Sequence, residues 1–510
     1  MKGNFRRSMI WLHTYSGLLL SWLVFTVFVT GTLSYYAEEL NVWMQPERLQ
    51  QQNARDPINL AVSTLKQEGA GAEKWSINLG SLRDQKLQIS WQLPGQSRRQ
   101  QQRQTLSESE VESRDTVGGD FFVHFHYALE LRDYGGRYLS GIAAFIMLVG
   151  VFSGIFTHRR FFKDFFSLRW KNIKRGLTDV HAIMGIVTIP FCFMICASAL
   201  LFYLSMYVPT SANLHYDKGY RELSQQVSPK SFIKAPSGEP SAPISDISAI
   251  ITQVNERWSE PNSVSFISYQ YPYDKNGYLV FYRNKSQALS RQSETLTFDA
   301  TSQQLIHSTE PARIPKQISY IFLGLHEAKF APNGLRFMLF LLGVFSCALI
   351  ATGSILWLNQ RIASNKMHLG SKMVAWLNQS VLGGLAVAIM SLFYANRILP
   401  TDMIEREATE LSVFFGSWLI TAVVAAWLRS THWWSRFLFL IGAGFLLLPL
   451  IDLLLPSHYL LAAITSENWQ YLGVSLGFMV VGIGTLWLAN FLRIRQVMSN
   501  ELLKTAGVTI

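Results

Sequence analysis

Four of the eleven histidines in this 510-residue chain recur at spacings that suit metal ligation. His13 stands in "LHTYSG" and His181 in "VHAIMG", each followed four residues later by a glycine, Gly17 and Gly185, at the mouth of a long apolar run. His126 stands in "FHYALELRDYGGRY" and His326 in "LHEAKFAPNGLRF", each followed ten or eleven residues later by an arginine, Arg137 and Arg336. Two imidazoles facing one another across a helical bundle hold haem iron, because neutral imidazole is an axial ligand and apolar helix faces accept the porphyrin. A glycine at i+4 shares the histidine's helical face and removes bulk where a flat macrocycle approaches. An arginine at the membrane boundary suits the haem carboxylates. The pattern predicts two haem b groups, one bound by His13 and His181 and one by His126 and His326.

Reserve ligands are His158 in "THRR", whose counterpart stretch reads "LNQR", and His124, two residues before His126. His215, His307, His368, His432 and His458 fall in polar segments and are expected to be solvated. Cys192 and Cys196 share a helical face, which in an apolar span is a packing pattern. Asp452 in "LLPLIDLLLPS" is expected to be a helix-end carboxylate reaching for water, with quinol or proton handling as the functional alternative.

The elements that carry these residues are membrane helices. Only 15% of the chain is charged and 49% is hydrophobic, and runs of about 20 apolar residues span a bilayer. Eight such runs occur: 9–35, 138–158, 180–206, 335–358, 373–393, 411–428, 437–455 and 470–492. The net charge of +11 is concentrated in residues 1–8, 158–178, 359–372, 429–436 and 493–510, which hold 18 Lys or Arg and two acids. The positive-inside rule places those segments and both termini on the cytoplasmic side of a membrane, and both long polar stretches on the exported side. A nucleic-acid partner is not implied, since the excess charge is divided among short juxtamembrane loops. The first run has a basic start but is too long for a signal peptide and lacks a small-residue cleavage site, so it is expected to remain as an anchor.

The first 360 residues read as two copies of helix, polar segment, helix. "LHTYSGLLLSWLVFTVFVTGTLSYY" matches "VHAIMGIVTIPFCFMICASALLFYL", and the exits "GVFSGIFTHRR" and "LIATGSILWLNQR" match as well. Within the polar segments, "INLAVSTLKQEG" and "ISDISAIITQVNERW" are amphipathic helix patterns, each followed by alternating strand-like runs. The expected fold is a polytopic α-helical membrane protein of eight transmembrane helices, with two small α+β modules inserted in a duplicated four-helix haem-binding core. Its divisions are a first span at 1–36, a first module at 37–130, a second span at 131–160, a loop at 161–179 and a third span at 180–206. A second module at 207–325, a fourth span at 326–360, four added spans at 373–492 and a tail at 493–510 follow. The added spans have no counterpart in the first half and suit a later addition or a partner-binding platform. Trp22, Phe25 and Phe28 read as ordinary lipid-facing packing, the alternative being an electron route between the two haem sites.

"LHTYSGLLLSWLVFTVFVTGTL", "FHYALEL", "DVHAIMGI" and "GLHEAKFAPNGLRFMLFLLGVFSCALIATGSILWL" resemble the four helices of the PepSY-associated transmembrane family of bacterial inner-membrane proteins, over about residues 5–361. That family includes iron-regulated proteins and di-haem ferric-siderophore reductases. The resemblance implies that His13, His126, His181 and His326 occupy the family's histidine positions and that the polar segments are PepSY-like modules. No P-loop or dinucleotide fingerprint is present, and "VVGIGTLW" follows no strand. Electrons are therefore expected from membrane quinol or a separate cytoplasmic reductase. The implied activity is reduction of ferric iron, as a ferric siderophore or other ferric chelate, on the periplasmic side. The competing class is a cofactor-free PepSY-bearing regulator or assembly factor that binds an envelope partner.

Overall fold

A computed structural model describes residues 2–49, 56–81, 83–84, 86–97, 100–106, 113–157, 173–227, 232–244, 246–259, 261, 263–364, 366–427, 433–455 and 458–505. His158 and His432 lie outside the described residues. Among those described, seven helices are long and apolar enough to cross a membrane: Gly136–Thr157, Gly176–Tyr207, Asn333–Ala363, Leu369–Ile398, Arg406–Trp427, Trp434–Leu454 and Trp469–Ile494. The first expected span is not one straight helix. It is a pair, α1 (Lys2–Leu19) and α2 (Ser21–Ser34), with a bend of 66° between them. The Ser21 hydroxyl takes the Leu18 carbonyl at 3.1 Å at the bend, and a side chain entering the carbonyl ladder is a usual cause of such a break. The eight expected spans are thus seven helices and one bent pair.

The chain divides into two units, one of residues 1–50, 112–196 and 338–510 and the other of residues 51–111 and 197–337. In the first, α1 packs on α6 (Gly136–Thr157) and α2 packs on α5 (Asp120–Ala128). Contrary to expectation, α2 does not present Phe25 and Phe28 to lipid: both are buried, along with Val24, Val27, Thr26, Thr30 and Thr32. The threonines are tolerated there because each hydroxyl donates one turn back, Thr26 to Trp22 O at 2.9 Å, Thr30 to Thr26 O at 2.8 Å and Thr32 to Phe28 O at 2.7 Å. That bonding satisfies a polar group that would otherwise be costly to bury. Trp22 is half-buried and donates its indole N–H to Asn378 Oδ1 at 2.9 Å.

The second unit holds the strands. In it, α4 (Pro57–Glu68) begins at Asp56, whose side chain accepts from Asn59 N at 3.1 Å, with Pro57 in the first turn, and ends at Gly69. Asp as cap and Pro as first helical residue both suit a helix start. Strands β1 (Lys74–Asn78), β2 (Gln88–Gln92) and β3 (Gln102–Thr105) follow it, and β4 (Val264–Gln270), β5 (Tyr278–Arg283), β6 (Thr295–Asp299) and β7 (Leu305–Ser308) come from the second polar segment. The two segments do not make separate sheets. All seven strands form one antiparallel sheet in the order β3-β2-β1-β4-β5-β6-β7. The join is β1 against β4, with Trp75 opposite Tyr269, Ser76 opposite Ser268 and Ile77 opposite Ile267. Pairing the two first strands protects an edge that each short sheet would have left open. Helix α4 and its counterpart Ser248–Trp258 contribute Leu65, Val62, Ile250 and Val254 to one core with Trp75, Ile89, Ile267, Phe281 and Phe298.

Candidate functional site

His13 on α1 and His181 on α7 (Ile173–Tyr207) face each other, their ring centroids 6.3 Å apart and their planes at 67°. Each ring is fixed in the same way by the helix paired with its own. His13 Nδ1 lies 3.0 Å from Gly150 O and 3.2 Å from Ser153 Oγ on α6. His181 Nδ1 lies 3.0 Å from Leu349 O and 3.2 Å from Thr352 Oγ1 on the helix Asn333–Ala363. A backbone carbonyl only accepts, so Nδ1 carries the proton in both rings. Nε2 is then the lone-pair nitrogen of each, without a hydrogen-bond partner among the described residues. A carbonyl behind the distal N–H is the arrangement that fixes the tautomer and orientation of a metal-ligating histidine.

Both rings are admitted by a glycine on the partner helix. A Cβ at Gly154 would stand 3.1 Å from His13 Cε1, and one at Gly353 would stand 3.1 Å from His181 Cε1. These notches were not singled out in the sequence, although the matched exits carry the signal as Ser153-Gly154 and Thr352-Gly353.

The two histidines line a cavity of about 360 Å³ together with Gly17, Gly150, Gly185 and Trp357. That volume lies in the range of small-molecule and cofactor sites, about 300–1,000 Å³. A Cβ built on Gly17 or Gly150 meets nothing within 4 Å, and one on Gly185 meets only Leu349 Cδ1 at 3.6 Å. The backbones of Gly17 and Gly150 thus border open space. Two buried polar atoms on the cavity lining, Ser16 Oγ and Trp357 Nε1, have no hydrogen-bond partner. The Arg361 guanidinium lies over the Trp357 ring at 4.9 Å, and Arg6 donates to the carbonyl of Thr157, a lining residue, at 3.3 Å.

The other two histidines belong to different units. In the first, His126 on α5 has Nδ1 2.7 Å from Val27 O, and a Cβ on Gly31 would come within 2.6 Å of its ring. Gly31 is therefore a further residue that the motif search missed. His124 is exposed, its ring edge-on to Tyr127 at 5.8 Å. In the second unit, His326 near the end of α11 (Ile314–Glu327) has Nδ1 2.8 Å from Ser198 Oγ and its ring edge-on to Phe202 at 5.4 Å.

Neither expected arginine lines the cavity. Arg137 is exposed, over the Tyr127 ring at 5.2 Å. Arg336 is buried and donates to Asn333 Oδ1 at 3.3 Å.

The remaining candidates resolve plainly. His215, His368 and His458 are exposed, whereas His307 is half-buried in β7, its ring stacked on Phe232 at 5.9 Å. Cys192 and Cys196 are buried, with Cys192 Sγ 3.2 Å from Ser346 Oγ. Asp452 does not reach water: it is fully buried, with Oδ1 2.7 Å from Arg397 Nε and Oδ2 accepting from the Tyr471 hydroxyl. The expectation failed because the helix end is covered by other helices, and hydropathy along one helix does not report its neighbours.

Among the described residues no three His, Cys, Asp or Glu side chains converge as a metal site. Fold and site together define a polytopic helical membrane protein in which two half-buried histidines, each with its tautomer fixed by a backbone carbonyl, face one another. The chain belongs to the PepSY-associated TM region family, whose model matches residues 10–360 and so takes in both halves. No curated protein matches the chain.

Proposed function

We propose that this is a di-haem b-type electron-transfer protein of the bacterial inner membrane, an oxidoreductase that reduces ferric iron, delivered as a ferric siderophore or similar chelate, on the periplasmic side. Electrons come from quinol or a cytoplasmic reductase, and both termini are cytoplasmic. The observation that carries the reading is the His13–His181 pair. An iron held between two imidazole nitrogens at roughly 2.0 Å each, with about 1.1 Å from nitrogen to ring centre, places the centroids about 6.2 Å apart. The observed separation is 6.3 Å. The cradle at Gly17 and Gly150 and the unpartnered Trp357 N–H, a donor suited to a carboxylate, support the same group.

When bound, haem supplies one-electron chemistry. The chain's own residues hold and tune it. His13 and His181 would hold it through their Nε2 nitrogens, and the carbonyls of Gly150 and Leu349, which accept from the two Nδ1–H groups, would make each imidazole a stronger donor. The apolar lining excludes water. The second haem is assigned to His126 and His326 from the sequence repeat; within its own unit each ring has its Nδ1 engaged. The ferric acceptor rests on the family resemblance.

Pyridine haemochrome assay of the purified protein is expected to give two haems b per chain, and dithionite-reduced protein is expected to be reoxidised by a ferric chelate. A colourless protein would favour the cofactor-free regulator, and haem that no ferric chelate reoxidises would remove iron as the acceptor. Gly150→Leu isolates the cavity, because the new side chain enters open space and helix propensity favours leucine over glycine by somewhat less than about 1 kcal/mol. The variant is expected to fold with undiminished thermal stability and to carry one haem instead of two. Two haems in Gly150→Leu would mean that the cavity is not the binding site.

A further inference from the structure

The four added spans make the most heavily bonded polar contact in the first unit, and it falls on one short segment. Residues 113–119 lead into α5, which carries His126. The Arg114 guanidinium is buried against Glu47 at 2.6 Å, the Asn396 carbonyl and the Tyr459 hydroxyl. Arg406 donates to Asp115 O at 2.8 Å. Glu410 Oε2 accepts from Thr116 Oγ1 at 2.7 Å and from Val117 N at 3.0 Å, while Glu410 Oε1 is paired with Arg406. Asn396 Nδ2 adds a bond to Thr116 Oγ1 at 3.0 Å. Backbone as well as side-chain groups of the segment are thus tied to the helices Gly384–Ile398 and Arg406–Trp427, and all of the charged partners are buried.

The same two helices then cover one side of α5. Phe121 and Phe125 lie edge-on to Phe414 at 5.0 and 5.7 Å, and Phe122 meets Phe393 at 5.9 Å. Beside this face, one turn after Phe122, His126 reaches into α2, where Gly31 makes room for it and Val27 O accepts a hydrogen bond from its Nδ1.

We propose that two of the added spans, the helices Gly384–Ile398 and Arg406–Trp427, are a positioning device for His126: they clamp residues 114–117 and the aromatic face of α5, and so set the depth and angle at which this imidazole is presented. Thr116, Asn396 and Glu410 are positioning residues rather than ligands. The inference rests on the haem reading for its consequence but not for its geometry.

Thr116→Val keeps the side-chain shape and removes only the hydroxyl shared by Glu410 and Asn396, and Phe414→Leu loosens the aromatic contact independently. In the full-length protein in detergent, hydrogen exchange of amides 120–128 is expected to rise on the order of tenfold in either variant, with amides of α1 and α6 unchanged and Thr116→Ser restoring wild-type exchange. The spectrum or potential of the haem assigned to His126 is expected to shift while that of the His13–His181 haem stays. Unchanged exchange at 120–128, or an equal rise in α1 and α6, would overturn the clamp. A colourless wild type would overturn the haem reading instead, and the exchange result would still decide whether α5 is clamped.

Discussion

His181→Ala is expected to leave the full-length protein with one haem instead of two, and His13→Ala is expected to do the same to the same haem. The two imidazoles stand with their centroids 6.3 Å apart and line one cavity. Each removes half of an axial set, and the surviving ring cannot supply both ends of the iron. The double variant should therefore lose no more haem than either single one, because residues acting as a unit are not additive. Removing only the hydroxyl behind a ring is milder: outer contacts of this kind are typically worth about 10–100-fold in metal affinity, so Thr352→Val should weaken retention without abolishing it. Haem content by pyridine haemochrome, with the reduced spectrum to identify which component is lost, checks the set. Two intact low-spin haems in His181→Ala would refute the ligand assignment.

The second large effect concerns stability. Asp452→Ala is expected to destabilise the protein by about 3–5 kcal/mol, the usual cost of leaving one partner of a buried ion pair uncompensated. Arg397 has no route to solvent in its place: it is fully enclosed, its guanidinium 3.6 Å from the centre of the Trp43 ring and bonded to Trp43 O at 2.7 Å. Such a loss is comparable with much of the roughly 5–15 kcal/mol that holds a typical domain together. Replacing both members, as Asp452→Leu with Arg397→Met, should cost far less, because no charge is then stranded. Thermal unfolding in detergent, followed by the tryptophan signal, separates the two. A double variant no more stable than Asp452→Ala would show that the ion pair itself, rather than the unpaired charge, carries the energy. The same geometry argues against Asp452 as a proton carrier, since both carboxylate oxygens are already bonded.

Some of the misreadings have a common source. Asp452 reads as a water-seeking helix end and Phe25 and Phe28 read as lipid-facing because each is judged by its own helix. In the folded chain the added spans close over Asp452, and the face of α2 that carries Phe25 and Phe28 is buried. Gly31 was equally invisible as a site residue, because a glycine's purpose is set by the ring that comes to lie against it. His13 and Gly150 are 137 positions apart, and His181 and Leu349 are 168 apart. Spacing along a single helix carries no record of such a meeting.

The sequence by itself determined which stretches are apolar enough to cross a membrane, that the first 360 residues repeat, and which four histidines recur. These are local properties, written in the length of a hydrophobic run and in residues one helical turn apart. Only the tertiary structure decided that His13 and His181 stand face to face with their tautomers fixed, that two short strand sets join as one seven-stranded sheet, and that three ion pairs are sealed beneath the added helices. Each of those outcomes depends on burial and on hydrogen bonds between distant segments, and both come into being when the helices pack.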